Sequence, residues 1–453
     1  MDTSRRAALQ YVGLGGAIGA AAMLPAAALG NVPENDAAER RANGMPSPKI
    51  RDIVVIPVPG PNGIDASNLL VKVLTDQQGL HGYGDASLCF RSKAVRVMVE
   101  DYLKPLLIGK PTDRIDQIWR LLYLSSYYKN DHIQNTAIGG ICDALWDIKG
   151  RQFGVPVHEL VGGKCREAAE IYMHAFYAGS TAPAPHGDRL DPDYIVENSR
   201  LLVSRGVSNI QIDIFQSEAK VAGLQGGPAF DRSLSMEKCY RAFAAFRKAM
   251  PAHVRLGCDA HSMLDSVSAV EFCTQSEQYG PWYWMEDVVA PEEQGCLRLL
   301  RQKTKIPLAI GELYNNPAEW RELFEQRLID YTRIHVAHIG GFTAARQAAA
   351  VAEQFQVRTG WHGSPDQTPV GHMARLTLDL TSRNFGFHEY FGLSEQLREL
   401  FPGAIEVKNG FAWGNDRAGW GIEVNEAALA RLPPGKEGAF ELHSPDGALM
   451  LGL

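Results

Sequence analysis

Cysteine is sparse and poorly placed for cross-linking: seven residues, at 89, 142, 165, 239, 258, 273 and 296, odd in number and without a CxxC spacing. That pattern disfavours both a disulfide framework and a zinc site, and predicts mostly buried thiols. Long charge runs are also missing, and the net charge is −7. Phosphate recognition relies on clustered Lys and Arg, so a nucleic-acid partner is disfavoured and a small molecule is expected. Strong hydrophobicity is lacking even in the 20-residue uncharged run from Tyr11 to Gly30, where Gly and Ala predominate. With Arg5 and Arg6 just before it and Ala26, Ala27 and Ala28 near its end, the segment 1–30 resembles a cleaved twin-arginine export signal rather than a membrane anchor. The expected mature protein is periplasmic and has no membrane span. That export route carries folded proteins, which suits reduced thiols and metal loading before export.

What is present is an ordinary globular composition, 45% hydrophobic and 21% charged over 453 residues, enough for a large core. After a polar linker at 31–48, IRDIVVIPV and NLLVKVLTDQQGLHGYGDA alternate like antiparallel strands, with a turn at Asp76 to Gly79. KAVRVMVEDYLKPLLIG, DRIDQIWRLLYLSSYY and NTAIGGICDALWDIKGRQFG then repeat apolar residues at helical spacing, which predicts an α+β domain over 49–165. From 166 to 392 the texture changes to eight short apolar runs separated by amphipathic stretches: EIYMHAF, NIQIDIF, VRLGCDAH, YWMED, IPLAIGE, YTRIHV, VRTGWH and FGFHEY. This α/β pattern predicts a parallel (β/α)8 TIM barrel. The Gly-rich tail, 393–453, is expected to return to the first domain as a cap over the barrel mouth.

Three consecutive predicted strands end in carboxylates, Asp259 in GCDAH, Glu286 in WMED and Glu312 in AIGE, at intervals of 27 and 26 residues. One strand-helix-strand step has about that length, so the three converge at the C-terminal rim, where they repel unless a cation lies between them. All-oxygen ligands suit a hard ion, and Mg²⁺ would keep positions for water and substrate oxygens. Asp259 and His261 are two residues apart, which on a continuing strand points both side chains the same way. His362 stands at another strand end, with Asp366 four residues on as a possible acceptor for its ring N–H. Further round come Arg333, either an internal ion pair or a substrate contact, and Glu389.

These residues, together with the stretches SNLLVKVLTDQQGLHGYGDA, PLLIGK, CDALWDIKG, VHELVGGK, PLAIGELYN, DYTRIHVAHIGG and VRTGWHGSPDQTPV, resemble the enolase superfamily. The likeness is to its mandelate racemase branch and, within that, to the mannonate dehydratase-like acid-sugar dehydratases. The resemblance implies an N-terminal α+β capping domain on a modified barrel, with Asp259, Glu286 and Glu312 as Mg²⁺ ligands. It implies substrate contacts at Asn68 and His174, with Arg333, His362, Asp366 and Glu389 as further polar site residues, and an even-numbered homo-oligomer. The implied chemistry removes a proton α to a carboxylate while the metal stabilises the enediolate. One departure stands out: the family's mannonate dehydratases use an arginine on the second barrel strand and a tyrosine in the next loop. Here that strand is NIQIDIF, with Gln211 and Asp213, and the loop QSEAKVAGLQGGPAFDRSLS has no tyrosine. The paired-lysine strand motif of racemases is missing as well. The remaining arrangement is similar to that of galactonate dehydratases, which implies His362, tuned by Asp366, as base and His261 as acid, with the reverse order left open. The expected activity is a lyase forming a 2-keto-3-deoxy acid. A racemase or epimerase on the same scaffold, or a non-catalytic sugar-acid binder, are the alternatives.

Overall fold

The alternating segment IRDIVVIPVP becomes β1 (Ile50–Pro59), antiparallel to β2 (Ser67–Thr75), which pairs with β3 (His81–Asp85) across the predicted turn. The structure is a computed structural model that describes residues 45–59, 67–177, 188–214, 219–220, 228–363, 367–432 and 442–450. The predicted export signal, most of the linker and Asp366 lie outside these residues. Residues 1–47 and 48–453 form two separate units, and the second holds everything described below.

The helix α1 (Ile115–Tyr123) packs on α2 (His132–Phe153), which lies on the three-stranded sheet. Asp131 caps α2 by accepting the Gln134 N–H, which satisfies one of the donors a helix start leaves open. Sixteen of the 22 α2 residues are buried because the helix is sandwiched between its own sheet and the next layer. All eight predicted apolar runs then form strands: β4 (Ala169–His174), β5 (Asn209–Asp213), β6 (Arg255–Asp259), β7 (Trp282–Glu286), β8 (Leu308–Ile310), β9 (Tyr331–Thr332), β10 (Arg358–Thr359) and β11 (His388–Glu389). Each pairs in parallel with its sequence neighbour from β4 to β10. Thr359 bridges Phe385 just before β11, and β11 pairs with β4, so the sheet closes on itself. The connecting helices are α3 (Pro192–Ser204), α4 (Arg232–Ala249), α5 (Ser266–Ser276), α6 (Cys296–Lys303), α7 (Pro317–Glu325), α8 (Gly341–Gln354) and α9 (Pro369–Thr381). Tyr172, Tyr283, Trp284, Tyr331 and Phe387 fill the barrel interior, a packed floor rather than a channel.

The tail differs from expectation. It does return to the first domain, where Trp420 donates its backbone N–H to Asp147 and its indole N–H to the Asp143 carbonyl. Its first described strand lies away from the mouth. Phe411 and Ala412 pair with Glu170 and Ala169 at the N-terminal start of β4, the opposite end of the barrel. An edge left open at that end offers unpaired backbone groups, which the tail strand satisfies. Among the described residues, Leu442 and Met450 reach the mouth side, where they pack with Phe230 and Met263, and His443 bridges Ala229 and accepts the Phe230 N–H. Of the seven cysteines, five are buried, Cys89 is half-buried and Cys165 is exposed.

Candidate functional site

Parallel register sets adjacent strand ends side by side: Asp213 opposite Asp259, and Asp259 opposite Glu286. Glu312 lies just past β8, held there by Asp287, whose carboxylate accepts the N–H groups of Gly311 at 2.9 Å and Glu312 at 3.3 Å. One carboxylate oxygen from each of Asp259, Glu286 and Glu312 lies within 4.8 Å of the others. Burial drives all three carboxyls well above their ordinary range, and the neighbours add to it: Asp213 and Asp287 for Asp259, Asp287 and Asp259 for Glu312. Glu286 is pushed up by burial and Asp259 against the opposing pull of Arg333. Oxygen donors this close, dry and mutually repelling fit a hard divalent cation and fit no other ligand class as well.

The two candidate proton carriers flank this cluster. His362 Nε2 is 3.2 Å from Glu312 Oε2, and His261 Nε2 is 3.3 Å from Asp259 Oδ2. His261 arrives by a different route from the one the strand period implied. The strand stops at Asp259, and His261 and Ser262 have φ of 45° and 58°, a left-handed turn that folds the ring back. His261 N–H also donates to Asp259 Oδ1 at 2.9 Å, fixing that turn, and histidine is among the residues that tolerate the conformation best. Asp366 lies outside the described residues.

The three expected substrate contacts at strand ends sit lower. Arg333 is wholly buried and donates from Nε to Glu286 Oε1 at 2.5 Å, from Nη1 to the Gly360 carbonyl at 2.6 Å and from Nη2 to Glu389 Oε2 at 2.9 Å. Its guanidinium faces the rings of Trp284 and Tyr172. Glu389 Oε1 bonds His174 Nε2 at 3.1 Å, and His174 Nδ1 bonds Asp213 Oδ1 at 2.9 Å. The reason these groups turn inward is charge: a buried guanidinium needs carboxylates, and the barrel floor supplies them. Burial works against a charged His174, but Asp213 and Glu389 outweigh it and hold the imidazole up at about 10. The result is a chain of alternating sign, Asp213, His174, Glu389, Arg333, Glu286, with Gln211 Nε2 as a second donor to Glu286 at 3.0 Å. Asn68, at the start of β2, is buried.

The sequence reading missed three participants. Asp213 and Asp287 join the acidic rim; the pairing ED in WMED was the available signal for Asp287. His132, at the start of α2, bonds the Leu313 backbone beside Glu312. Its ring meets His338 edge-on at 5.8 Å, His338 stacks on His335 at 3.6 Å, and His335 is 5.2 Å from His362. No local pattern around NDHIQN connects it to the barrel.

Known proteins place this geometry. The family model described as mandelate racemase / muconate lactonizing enzyme, N-terminal domain, matches residues 63–162, and the one described as enolase C-terminal domain-like matches residues 194–428. The D-galactonate dehydratase family member RspA of Pantoea ananatis is 38% identical over 82% of this chain and 91% of its own. Family member SEN1436 of Salmonella enteritidis is 36% identical over 85% and 94%. A crystal structure of an enolase from Pantoea ananatis with bound D-gluconate and Mg superposes with a TM-score of 0.82 at 34% identity, covering 89% of this chain and 99% of that one. With its capping sheet, closed barrel and acidic rim, this chain belongs to the D-galactonate dehydratase family of the enolase superfamily.

Proposed function

We propose that this chain is an Mg²⁺-dependent hydro-lyase of a sugar acid. The observation that carries the reading is the cluster of Asp259, Glu286 and Glu312 oxygens within 4.8 Å, with one imidazole on each flank. The solved relative that holds D-gluconate together with Mg supports a sugar acid as the ligand class. A divalent cation held by the three carboxylates would supply positive charge beside the substrate carboxylate and so acidify its α-carbon. The chain's own residues then move protons. His362 takes the C2 proton; the electron pair forms a C2–C3 double bond as the 3-hydroxyl departs, protonated by His261 to leave as water. The enol tautomerises to the 2-keto-3-deoxy acid. Arg333 and Gln211 act beneath the site, fixing the Glu286 carboxylate, rather than on the substrate.

A library of mono- and diacid sugars incubated with enzyme and Mg²⁺ should show keto-acid formation with at least one member. His362→Asn and His261→Asn should each lower kcat by about 10²- to 10⁴-fold, the usual worth of a positioned acid or base. Wild-type rates in both variants at saturating Mg²⁺ would remove the two histidines from the chemistry. Deuterium entering C2 without keto acid would indicate an epimerase, and calorimetric binding without either change a binder.

A further inference from the structure

Asp85 ends β3 in the capping domain, far along the chain from the acidic rim, and is buried. Its Oδ1 accepts the Thr368 N–H at 2.8 Å and the Ser87 hydroxyl at 2.9 Å, and the Thr368 hydroxyl bonds it as well. Ser87 Oγ in turn accepts the Leu69 N–H at 3.1 Å, next to Asn68 on β2. Thr368 is the N-cap of α9, so Asp85 grips the start of that helix. The approach is close: a Cβ on Gly371, in the first turn of α9, would come to 2.7 Å from Asp85 Cγ.

Farther along the same helix, Arg375 carries the constraint to His362. Its Nη1 donates to the Trp361 carbonyl at 3.3 Å and its Nη2 to the Glu389 carbonyl at 2.8 Å. Gly363 lies so tightly against the guanidinium that a Cβ there would fall 1.9 Å from Arg375 Cζ. The residues before and after His362 are therefore both seated on Arg375. Helices transmit displacement with little bending over so short a span, and a shift of about 1 Å in a reacting group can cost roughly 10²-fold in rate.

We propose that Asp85 is the positioning residue for His362, acting through α9 and Arg375, so that the capping domain sets the placement of one proton carrier in the barrel. This role presupposes His362 as a proton carrier, as proposed above; amide exchange reads the positioning without that premise.

The test uses the full chain with Mg²⁺ and the variants Asp85→Ala and Asp85→Asn. In Asp85→Ala, deuterium exchange at the Thr368 and Gly363 amides should rise at least about tenfold, since both report on local opening. Against whichever sugar acid the wild type dehydrates, kcat should fall by about 10²-fold with KM and the Mg²⁺ midpoint unchanged within about threefold. Asp85→Asn keeps an acceptor for the Thr368 N–H and should recover part of both quantities. Wild-type exchange at Gly363 in Asp85→Ala overturns the proposal, as does a wild-type kcat despite faster exchange, or a kcat loss matched by an equal loss of Mg²⁺ affinity. If no sugar acid is dehydrated by the wild type, the functional reading fails and the Gly363 exchange alone decides this role. Should Asp85→Ala not fold, Ser87→Ala, which removes one of the bonds that hold the carboxylate, takes its place with the same readouts.

Discussion

His174 stands where the resemblance puts a substrate contact, and its ring is taken up by the protein's own carboxylates. Its position at the end of a barrel strand made it a substrate contact by resemblance, yet only 3% of its surface is exposed and both ring nitrogens meet carboxylates. Replacing it with Phe leaves Asp213 and Glu389 facing each other without the cation between them. Breaking a buried pair in this way typically costs about 3–5 kcal/mol, which urea unfolding at pH 7 should register for His174→Phe. The pH dependence has a defined sign. A folded value of about 10, above the ordinary 6.5, means that the imidazolium stabilises the fold fully below pH 6.5 and loses that contribution as pH rises through about 10. The wild type should therefore lose more stability than His174→Phe between pH 8 and 10.5. Equal losses would show that the imidazole is neutral. Arg333 follows the same logic: the ion-pair reading was open from the sequence, and the three bonds of its guanidinium choose it.

Strand ends are the element at which the site was most legible. The 27- and 26-residue spacing of Asp259, Glu286 and Glu312 reflects the barrel repeat, and parallel register turns equal spacing into adjacency. All eight barrel strands were visible as apolar runs for the same reason, since a strand covered on both faces needs no polar alternation. Three things were hidden. The left-handed backbone at His261 has no signature beyond the residue itself. The ring ladder from His132 to His362 depends on how the capping helix sits on the barrel. Arg375 reads as one more charge on a helix until its contacts are seen. The carboxylate cluster also makes a prediction at this scale. Carboxyls raised above their ordinary range favour the protonated, cation-free fold at low pH, a stability that fades as pH rises through the raised values. On the proposed metal site, Mg²⁺ would bind the deprotonated cluster and at about 100 times its Kd would add about 2.7 kcal/mol. The melting-temperature difference between Mg²⁺ and chelator should accordingly grow from pH 5 to pH 8. A difference that stays constant over that range would place the ion elsewhere.

At the scale of the whole molecule, capping domain and barrel are joined by bonds that belong to neither alone. Asp143 accepts the Phe342 N–H at 2.8 Å at the start of α8, as Asp85 does at the start of α9. Burial raises the two capping carboxyls, Asp143 to about 8 and Asp85 to about 6. The leading Arg5 and Arg6 add a prediction about the destination of this assembly: changing both to Lys should leave unprocessed precursor in the cytoplasm, as cell fractionation and the mass of the N-terminus will show. Delivery of the lysine form to the periplasm would discard the twin-arginine reading. The tail strand bears on the timing of such a journey. Ala169 receives its ladder neighbour only when the ribosome has reached Ala412, and α2 gains Trp420 later still. The first stave and the capping helix thus stay incomplete until synthesis has passed both positions.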